Sequence, residues 1–406
     1  MRPTPPRQAV ILAGGRGTRL QPLTLTRPKP MVVFHGKPFL EYIVEMLRDQ
    51  GIERILMLLG YLPGVITDHF GDGSRLGVSI EYDITDPDDL TAHRVLHAAD
   101  RIDETFLLLY CDNYWPMRLD DMWARFVASG ADGQVTVYAN EDRFSKDSVI
   151  VGPDGFVDVF DRTRTTPGLK GIEISYAILR KSAVLPLLPT DRQELFEQAV
   201  YPALARAHRL GAYWSGHRYY SVGNLDRLPV TDEFLARRPA ILLDRDGVLN
   251  ARAPRAEYVR RAQDLRPLPG AAQAVGRLTR AGYRVIVVSN QAGIGRGVMT
   301  EADLAAVNDR LRAEVAQAGG RIDAIYHCPH DWDAGCACRK PAPGMLFQAQ
   351  RDWHLDLTRT LFVGDDPRDA EAARAAGCPF QMVGPGRSLA DIVDRALGAP
   401  LQETGT

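Results

Sequence analysis

The sequence predicts an α/β protein with two doubly wound domains. At 406 residues the chain is too long for one ordinary hydrophobic core. Its content of 45% hydrophobic and 25% charged residues is typical of a folded globular protein. Short apolar runs alternate with amphipathic stretches in both halves, which predicts parallel sheets with helices on both faces. In such sheets, ligands bind at the carboxyl ends of the strands.

The individual elements follow from this alternation. In the first half, strands are predicted over Ala9–Leu12, Ile55–Leu59 and Phe106–Tyr110, and a helix over Pro38–Gln50. In the second half, strands are predicted over Ile241–Asp244, Arg284–Ser289 and Thr360–Gly364, and helices over Ala271–Ala281 and Glu301–Gln317. Between the halves, the polar stretch Ala236–Pro239 ends in a proline, and the residue before a proline is disfavoured in a helix. We therefore expect domains over residues 1–236 and 240–400.

Charge and hydropathy exclude several classes of function. The net charge of −2 gives no bulk attraction to nucleic acid or to an anionic membrane. No apolar run reaches the roughly 20 residues that span a bilayer, and the N-terminus lacks the apolar core of a signal peptide. We expect a cytoplasmic protein with small-molecule partners and no nucleic acid or membrane partner. The sequence does not indicate an oligomeric state.

A glycine-rich loop follows the first predicted strand. Its glycines, at positions 14, 15 and 17, allow backbone N–H groups to approach phosphate oxygens. Arg19 and Lys29 add the positive charge that a reaction between several phosphate groups requires. The full pattern, GGxGTRL followed ten residues later by PKP, is far more specific than a glycine-rich loop alone.

On these motifs, residues 8–235 resemble the sugar-1-phosphate nucleotidyltransferases. The resemblance implies that the nucleotide is held by Gly14, Gly15, Gly17 and Thr18. It also implies that Arg19 cradles the phosphates and that Lys29 stabilises the transition state. Asp112, at the end of FLLLYCD, matches the aspartate that binds Mg²⁺ in this family.

Three positions depart from the family pattern. The family has a Gly-Thr-Ala-Gly type of loop that helps to hold the base, but DPDDLTAHRVLHAAD contains no glycine. Ser221 stands where a second metal-binding aspartate is usual, and Asp226 is the alternative ligand. Asp161 and Arg162 replace a Glu-Lys pair, and Arg162 keeps the charge that meets the sugar phosphate. Two interpretations stay open: an active transferase, or a non-catalytic module for sensing or oligomerisation.

The second half carries acidic, hydroxyl and basic residues after its apolar runs. Asp244 and Asp246 end a predicted strand, and the glycine that follows lets both carboxylates converge, one as nucleophile and one for proton transfer. Ser289 offers a hydroxyl to phosphate, Lys340 a positive charge, and Asp365 a metal ligand. The order DxD, S, K, GDxxxD is much more specific than any one of these residues.

In this order, residues 240–395 look like the haloacid dehalogenase superfamily of phosphatases. The resemblance implies that Asp244 forms an aspartyl-phosphate and that Asp246 acts first as acid and then as base. Mg²⁺ would lie between Asp244, the backbone of Asp246 and Asp365, and Asp369 would orient the site. Ser289 and Lys340 would hold the phosphoryl group. The short gaps between motifs leave no room for a large cap, so we expect a capless domain with an open site.

Four residues that can bind a metal ion lie close together in CPHDWDAGCACRKP. Cys328, His330, Cys336 and Cys338 are a full tetrahedral set, which predicts a structural zinc site. The alternative is a reduced, cysteine-rich surface loop. Zinc here would brace the loop and direct the following residues, Arg339 and Lys340, at the substrate.

A closer resemblance comes from DRDGVLN, SNQAGIGRG and CRKPAPGM. These motifs are similar to those of the D-glycero-D-manno-heptose 1,7-bisphosphate 7-phosphatases, with histidinol-phosphate phosphatases as near relatives. The resemblance implies substrate contacts from Asn290, Gln291, Arg296 and Arg339, with Arg339 suited to the distal phosphate. Asp366 is a departure, because a lysine often stands there.

Together the two halves fit consecutive steps towards a nucleotide-activated heptose. The phosphatase would give heptose 1-phosphate, the class of substrate that the first half activates with a nucleoside triphosphate. The resemblance favours the α-anomer and GTP. The alternatives are a phosphatase with a non-catalytic first half, or the same two activities on another phosphorylated sugar or polyol.

Overall fold

A computed structural model describes residues 4–254 and 257–398, and they form two compact units. The first unit is Met1–Leu235 and the second is Ala236–Thr406. The outer limits of the two predicted domains, residues 1 and 400, lie outside the described residues. No helix in the described part of the chain is long and apolar enough to cross a bilayer.

The first unit contains thirteen strands and seven α-helices among its described residues. The strands are β1 (Gln8–Ala13), β2 (Val33–Phe34), β3 (Lys37–Pro38), β4 (Arg54–Leu59), β5 (Ser79–Ile84), β6 (Thr105–Tyr110), β7 (Asn113–Tyr114), β8 (Gly133–Tyr138), β9 (Val149–Val151), β10 (Val157–Phe160), β11 (Ile172–Arg180), β12 (Leu210–Ser215) and β13 (Tyr220–Ser221). The helices are α1 (Phe39–Asp49), α2 (Pro63–Phe70), α3 (Thr91–His97), α4 (Leu119–Ser129), α5 (Lys181–Val184), α6 (Phe196–Arg206) and α7 (Leu228–Leu235). The three strands and the helix predicted here are confirmed.

Seven strands form the central sheet of this unit in the order β12-β8-β11-β6-β1-β4-β5. Strand β1 pairs in parallel with β4 and β6, so Ile11 lies between Met57 and Leu109. Strand β11 runs antiparallel to both of its neighbours, so the sheet, whose other pairings are parallel, is mixed at this strand. The reason is its connection: the hairpin β9–β10, not a crossover helix, leads from β8 to β11.

Helices cover both faces of this sheet. Ile11 packs in the hydrophobic cluster that includes α1 and α4, whereas Val10 and Leu12 pack in the cluster that includes α3 and α6. Successive side chains of a strand point to opposite faces, so a strand that is buried on both faces reads as a continuous apolar run. The doubly wound arrangement predicted from such runs is confirmed.

The second unit has one parallel sheet of five strands. The strands are β14 (Ala240–Leu243), β15 (Arg284–Asn290), β16 (Ala324–Cys328), β17 (Leu361–Gly364) and β18 (Phe380–Met382), in the order β16-β15-β14-β17-β18. The helices are α8 (Ala271–Arg280), α9 (Ala292–Gly295), α10 (Glu301–Gln317), α11 (Gly344–Trp353), α12 (Pro367–Ala376) and α13 (Leu389–Gly398). Helices α8, α10 and α13 cover one face, and α11 and α12 cover the other. The predicted strands and helices of this half are confirmed within a few residues.

Local sequence fixes where the helices of this unit begin. The Thr300 hydroxyl accepts a hydrogen bond from the Asp303 N–H at 3.1 Å, and the Asp303 carboxylate accepts one from the Thr300 N–H at 2.8 Å, which starts α10. Asp366 and Asp369 make the same reciprocal pair at the start of α12. Because α12 follows β17 directly, this pair lies at the carboxyl edge of the sheet, where Asp365 also lies.

Candidate active sites

Asp244 and Asp246 face one cavity at the carboxyl edge of the five-stranded sheet. Asp244 follows β14, and its N–H donates to the Val363 carbonyl at 2.8 Å. Gly247 has φ +92°, and a Cβ there would lie 1.8 Å from an Asp365 oxygen. Only glycine therefore permits the turn that brings the loop against Asp365. The cavity has a volume of about 540 Å³, and both aspartates line it.

Lys340 is held directly against Asp244. Its side chain is 2% exposed, and Nζ lies 2.9 Å from Asp244 Oδ1 and 2.7 Å from Asp369 Oδ1. Nζ also donates to the Val288 carbonyl at 2.9 Å. The Asn290 amide accepts from the Lys340 N–H and donates to the Lys340 carbonyl, both at 3.0 Å. Asn290 lines the cavity, and its amide fixes the backbone of Lys340.

A network of side chains holds Asp246. The Gln291 amide donates to Asp246 at 2.9 Å and to the Ser289 hydroxyl at 2.8 Å. Asn250 donates to the other Asp246 oxygen at 2.8 Å, and the buried Arg245 guanidinium donates at 2.9 Å. The sequence analysis missed Arg245 and Asn250, although both lie within DRDGVLN.

The two aspartates have opposite electrostatic environments. Burial raises the pKa of Asp244 to about 7, with Asp369 and Asp246 adding to the increase and Lys340 opposing it. Burial also acts to raise the pKa of Asp246, but Arg245 and the hydrogen bonds outweigh it and lower that pKa below its ordinary range. Neighbouring carboxylates with diverging pKa values are typical of sites that divide nucleophile and acid–base roles.

The acidic residues of this cavity fit a divalent cation. Carboxylate oxygens of Asp244, Asp365 and Asp369 all lie within 4.8 Å of one another, and Mg²⁺ prefers such oxygen donors. Asp369 already pairs with Lys340 and accepts hydrogen bonds from the N–H groups of Asp365 and Asp366, both at 3.2 Å. These contacts occupy both oxygens of Asp369, whereas Asp244 and Asp365 each make one ion pair, with Lys340 and Arg252.

Arginines line the mouth of the same cavity. Arg252 lies 2.7 Å from Asp365 and 3.2 Å from Asp366, and Arg368 makes two 2.9 Å hydrogen bonds with Asp366. These two arginines supply positive charge beside position 366, where the family pattern has a lysine. Arg339 also lines the cavity. Its guanidinium makes only a long hydrogen bond, of 3.4 Å, to the His330 carbonyl.

Arg296 is the predicted substrate residue that does not line the cavity among the described residues. Its guanidinium lies over the Trp332 ring, 4.5 Å from the centroid. Trp332 itself lines the cavity. Arg296 therefore contacts a residue that lines the cavity, but it does not line the cavity itself.

The four predicted zinc ligands come together in one cluster. Cys328 Sγ lies 3.6 Å from Cys336 Sγ and 3.4 Å from Cys338 Sγ, and His330 Nδ1 lies 3.2 Å from Cys338 Sγ. A tetrahedron with zinc–sulfur bonds of about 2.3 Å has edges only slightly longer than these. Burial and the neighbouring thiols raise the pKa of Cys338 to about 12. A cation would relieve that repulsion, so the donor set fits zinc.

The glycine loop of the first unit lies open after β1. Gly17 has φ +63°, and a Cβ there would lie 2.9 Å from the Lys29 Cβ. The Thr24 hydroxyl donates to the Gly17 carbonyl at 3.0 Å. Gly15, Thr18 and Arg19 are exposed on this loop. The loop therefore leaves Gly15, Thr18 and Arg19 accessible to a ligand.

Lys29 forms an ion pair with Asp112 beside this loop. Burial acts to raise the pKa of Asp112, but Lys29 and Arg19 outweigh it and lower that pKa. The Asp112 carbonyl accepts a hydrogen bond from the Val222 N–H at 2.9 Å, so the chain brings Ser221 next to Asp112. Among the described residues Asp112 belongs to no cluster of three or more metal-ligand types, and Asp226 is exposed on a neighbouring turn.

Arg162 lies in a second polar cluster of this unit. It forms an ion pair with the buried Glu197, which also accepts a hydrogen bond from the Tyr110 hydroxyl. Asp161 caps the following turn by accepting from the N–H groups of residues 163, 165 and 166. The sequence analysis missed Glu197, whose helix, α6, carries no recognised motif.

Glu173, on β11, gives this cluster a pH dependence. Burial raises the pKa of Glu173 to about 8, and Glu197 adds to the increase. The folded protein therefore binds this proton more tightly than the unfolded chain, whose glutamates have a pKa near 4.5. Stability from this group is full below about pH 4.5 and is lost as pH rises towards 8.

We expect Glu173→Gln to flatten this decline, because glutamine carries no charge at any pH. Relative to the unaltered protein, the melting temperature of the variant should rise progressively between pH 5 and pH 8.5. Thermal unfolding at a series of pH values measures this. The exposed Glu81→Gln on β5 is the control and should leave the profile unchanged. Parallel profiles for Glu173→Gln and the unaltered protein would contradict the assignment.

Two family models match this chain. The nucleotidyl transferase model matches residues 8–147, and the haloacid dehalogenase-like hydrolase model matches residues 155–377, which is more than half of the chain. The second match starts inside the first unit, although the five-stranded sheet starts only at Ala240. The chain belongs to the haloacid dehalogenase-like hydrolase family.

Each half of the chain is similar to known proteins. The D-glycero-beta-D-manno-heptose-1,7-bisphosphate 7-phosphatase of Pseudomonas aeruginosa is 43% identical over 166 residues, covering 41% of this chain and 89% of the relative. An enzyme of the same name from Bordetella bronchiseptica is 44% identical, covering 39% of this chain and 87% of the relative. A Bacillus anthracis structure assigned as a glucose-1-phosphate thymidylyltransferase is 19% identical, with a TM-score of 0.51, covering 55% of this chain and 93% of that one. That likeness shows the fold of the first unit. The chain is an enzyme that combines a phosphatase with a nucleotidyltransferase domain.

Proposed function

We propose that this enzyme removes the 7-phosphate of D-glycero-D-manno-heptose 1,7-bisphosphate and then transfers a nucleotidyl group to the heptose 1-phosphate. The observation that carries the proposal is the Asp244–Lys340–Asp369 cluster beside a Cys₃His loop. The same part of the chain is 43% identical to a heptose bisphosphate phosphatase, which supports the choice of substrate. The product of the second unit is the class of substrate that a sugar-phosphate nucleotidyltransferase takes.

In the phosphatase step, an Asp244 oxygen attacks phosphorus, and the bond to the sugar oxygen breaks. Asp246 gives a proton to that oxygen, then takes one from the water that hydrolyses the aspartyl-phosphate. The partners of Asp246 favour its charged form, which suits the second role. When the substrate is bound, its negative charge raises the pKa of Asp246, which favours the protonated form that the first role requires. Mg²⁺ on Asp244 and Asp365 would neutralise charge on the transferred group.

Ser289 and Lys340 hold the transferred phosphoryl group in this mechanism. Gln291 donates to both Ser289 and Asp246, so it keeps the phosphoryl-binding hydroxyl and the acid–base carboxylate in one arrangement. Arg339, which lines the cavity together with Arg252 and Arg368, would supply positive charge for the distal phosphate.

In the nucleotidyl transfer step, an oxygen of the sugar phosphate attacks the α-phosphorus of the nucleoside triphosphate and pyrophosphate leaves. The glycine loop and Arg19 hold the phosphates, and Lys29 stabilises charge as the bond forms. Arg162, which pairs with Glu197, would meet the sugar phosphate. Asp112 would hold Mg²⁺, and the ion would neutralise part of the phosphate charge. The resemblance of this half favours GTP as the donor and the α-anomer, whereas the named relatives act on the β-anomer.

The proposal is tested by mass spectrometry of products from both anomers of the bisphosphate, each with Mg²⁺ and all four nucleoside triphosphates. A nucleotide-heptose product establishes both steps, and its mass names the base. Heptose 1-phosphate alone supports the phosphatase and argues against the transferase. An untouched bisphosphate, from enzyme that hydrolyses a generic aryl phosphate, overturns the heptose assignment and favours another phosphorylated sugar or polyol.

A non-catalytic first unit is the second candidate. Ser221 in place of an aspartate, and the absence of a carboxylate cluster around Asp112 among the described residues, favour it. Mg²⁺-dependent exchange of labelled pyrophosphate into nucleoside triphosphate decides between the two. An active transferase exchanges label only when the sugar nucleotide or sugar phosphate is present, and a binding module exchanges none.

We further propose that the Cys₃His cluster holds structural zinc. We also propose that the enzyme is cytoplasmic, because thiols stay reduced in that compartment. Cys336→Ser is expected to lose about one zinc ion per chain and at least about tenfold in phosphatase rate, because Lys340 follows the cluster closely. Elemental analysis and aryl phosphate hydrolysis measure this. Cys378→Ser, outside the cluster, should keep its zinc. Fully active wild-type protein without zinc would contradict the proposal.

A further inference from the structure

Arg94 is a buried cation of the first unit that the proposed mechanism does not use. Its side chain is 2% exposed. The guanidinium donates to the Leu59 carbonyl at 2.5 Å, to the Thr85 hydroxyl at 2.7 Å and to the Asp86 carbonyl at 2.8 Å. All of these acceptors are neutral, and no ion pair to Arg94 exists among the described residues.

An unpaired buried charge is costly to keep. Burial lowers the pKa of Arg94, and Asp89, Asp86 and Asp83 offset this only from a distance. A buried charge without a charged partner destabilises a protein unless something compensates for it. An anionic ligand arriving close by would provide that compensation.

Two glycines show what lies against the guanidinium. A Cβ on Gly14 would lie 2.3 Å from Arg94 Cζ, and a Cβ on Gly60 would lie 2.5 Å from Arg94 Nη2. Gly14 opens the glycine loop after β1, and Gly60 follows the neighbouring parallel strand β4. The charge of Arg94 therefore lies directly beneath the loop that would receive the nucleotide phosphates.

Arg94 also organises the segment that departs from the family pattern. It belongs to DPDDLTAHRVLHAAD, where the base-holding glycine loop is missing. Its bonds tie Thr85 and Asp86 to the end of β4. The Arg16–Asp88 ion pair, at 2.9 Å, ties the same segment to the glycine loop. Without glycines, the segment gains a fixed position from these contacts.

We propose that Arg94 is a positioning residue for the triphosphate of the nucleotide. It fixes the glycine loop against the segment after β5, and the phosphates of the bound nucleotide offset its charge. The inference rests on the proposed nucleotidyl transfer, since it requires that the first unit binds a nucleotide. It assigns Arg94 a part in phosphate affinity that is separate from recognition of the base.

Calorimetric titration of the full-length protein with GTP, GDP and GMP, in Mg²⁺ and low salt, tests the proposal. Arg94→Gln removes the charge, and Arg94→Lys keeps the charge but loses the planar set of donors. We expect Arg94→Gln to weaken GTP binding at least about tenfold and GMP binding much less, since the effect grows with phosphate charge. Arg94→Lys should recover part of the preference for GTP. Arg54→Gln, at the opposite end of β4, is the matched control and should bind all three as the unaltered protein does.

Gly60→Ala provides an independent probe, because the new methyl group collides with the guanidinium. It should weaken GTP binding when Arg94 is present and have little further effect in the Arg94→Gln protein, a non-additive result expected for groups in contact. Aryl phosphate hydrolysis and thermal unfolding of each variant report whether the chain is folded.

Equal losses for GTP, GDP and GMP in Arg94→Gln, or no loss at all, would overturn the inference. Equal losses of affinity for the three nucleotides would mean that Arg94→Gln damages the structure of the site. In that case Arg94→Lys, although it keeps the charge, would not restore binding. If the unaltered protein binds no nucleoside triphosphate, the proposed nucleotide site fails and the role of Arg94 fails with it. If it binds another nucleoside triphosphate in place of GTP, only the proposed donor fails. In the latter case the same series is measured with the phosphates of that nucleoside.

Discussion

Asp244→Asn is expected to abolish heptose bisphosphate hydrolysis, with a loss of at least about 10⁴-fold in kcat. Asparagine keeps the shape of the side chain but offers no anionic oxygen for attack on phosphorus. Lys340, 2.9 Å away, would also lose one of its two carboxylate partners. Release of inorganic phosphate from the bisphosphate measures the effect.

Two controls make this result specific. Asp366→Asn changes the same kind of side chain in the lining of the same cavity, but Asp366 pairs with Arg252 and Arg368 and not, among the described residues, with Lys340. We expect it to stay within about tenfold of the unaltered rate. Nucleotidyl transfer to supplied heptose 1-phosphate should be unchanged in Asp244→Asn. Residual hydrolysis within a hundredfold of normal would mean that another residue attacks phosphorus.

Lys29→Met is expected to reduce nucleotidyl transfer by about 10³-fold, the usual effect of removing one charged group from a transition state. The methionine preserves most of the length and apolar contact of the lysine stem, so the loss should fall mainly on kcat. Asp112 would also lose its ion-pair partner. Pyrophosphate release, with heptose 1-phosphate supplied, measures the rate.

The control for this second result is Lys37→Met. Lys37 pairs with Glu45 away from the glycine loop, so its loss should leave transfer nearly unchanged. Phosphatase activity, assayed in the same preparations, should be equal in all three proteins. A Lys29→Met protein that transfers nucleotide at more than a tenth of the normal rate would show that Lys29 does not stabilise the transition state.

Much of the phosphatase site was predictable because its residues follow strand ends. Asp244, Ser289 and Asp365 each come directly after or at the end of an apolar run, and parallel strands bring such positions to one edge. The Cys₃His spacing likewise predicts its cluster from local sequence alone. These are short-range signals, and the structure brings their residues together.

The residues that the sequence analysis missed depend on contacts far apart in the chain. Glu197 meets Arg162 across 35 positions, and Arg94 meets Leu59 across 35 positions. No periodicity marks either residue, because each lies on a helix whose apolar face dominates the pattern. The antiparallel direction of strand β11 was missed for a similar reason. A run of apolar residues predicts a buried strand but not its direction, which depends on the connection before it.

The separation between Cys338 and Lys340 has a consequence for how sequences of this kind can vary. Cys338 is fixed by its neighbours in the cluster, and Lys340 is fixed by Asp244 and Asp369, with one residue between them. An insertion there would pull the lysine out of register with the nucleophile. The stretch between His330 and Cys336 is exposed, and its contact with the cavity comes from Trp332, which stacks against Arg296. Natural length variation should therefore accumulate before Cys336 and be absent after Cys338, so that evolutionary change in the loop is confined to one side of the metal cluster.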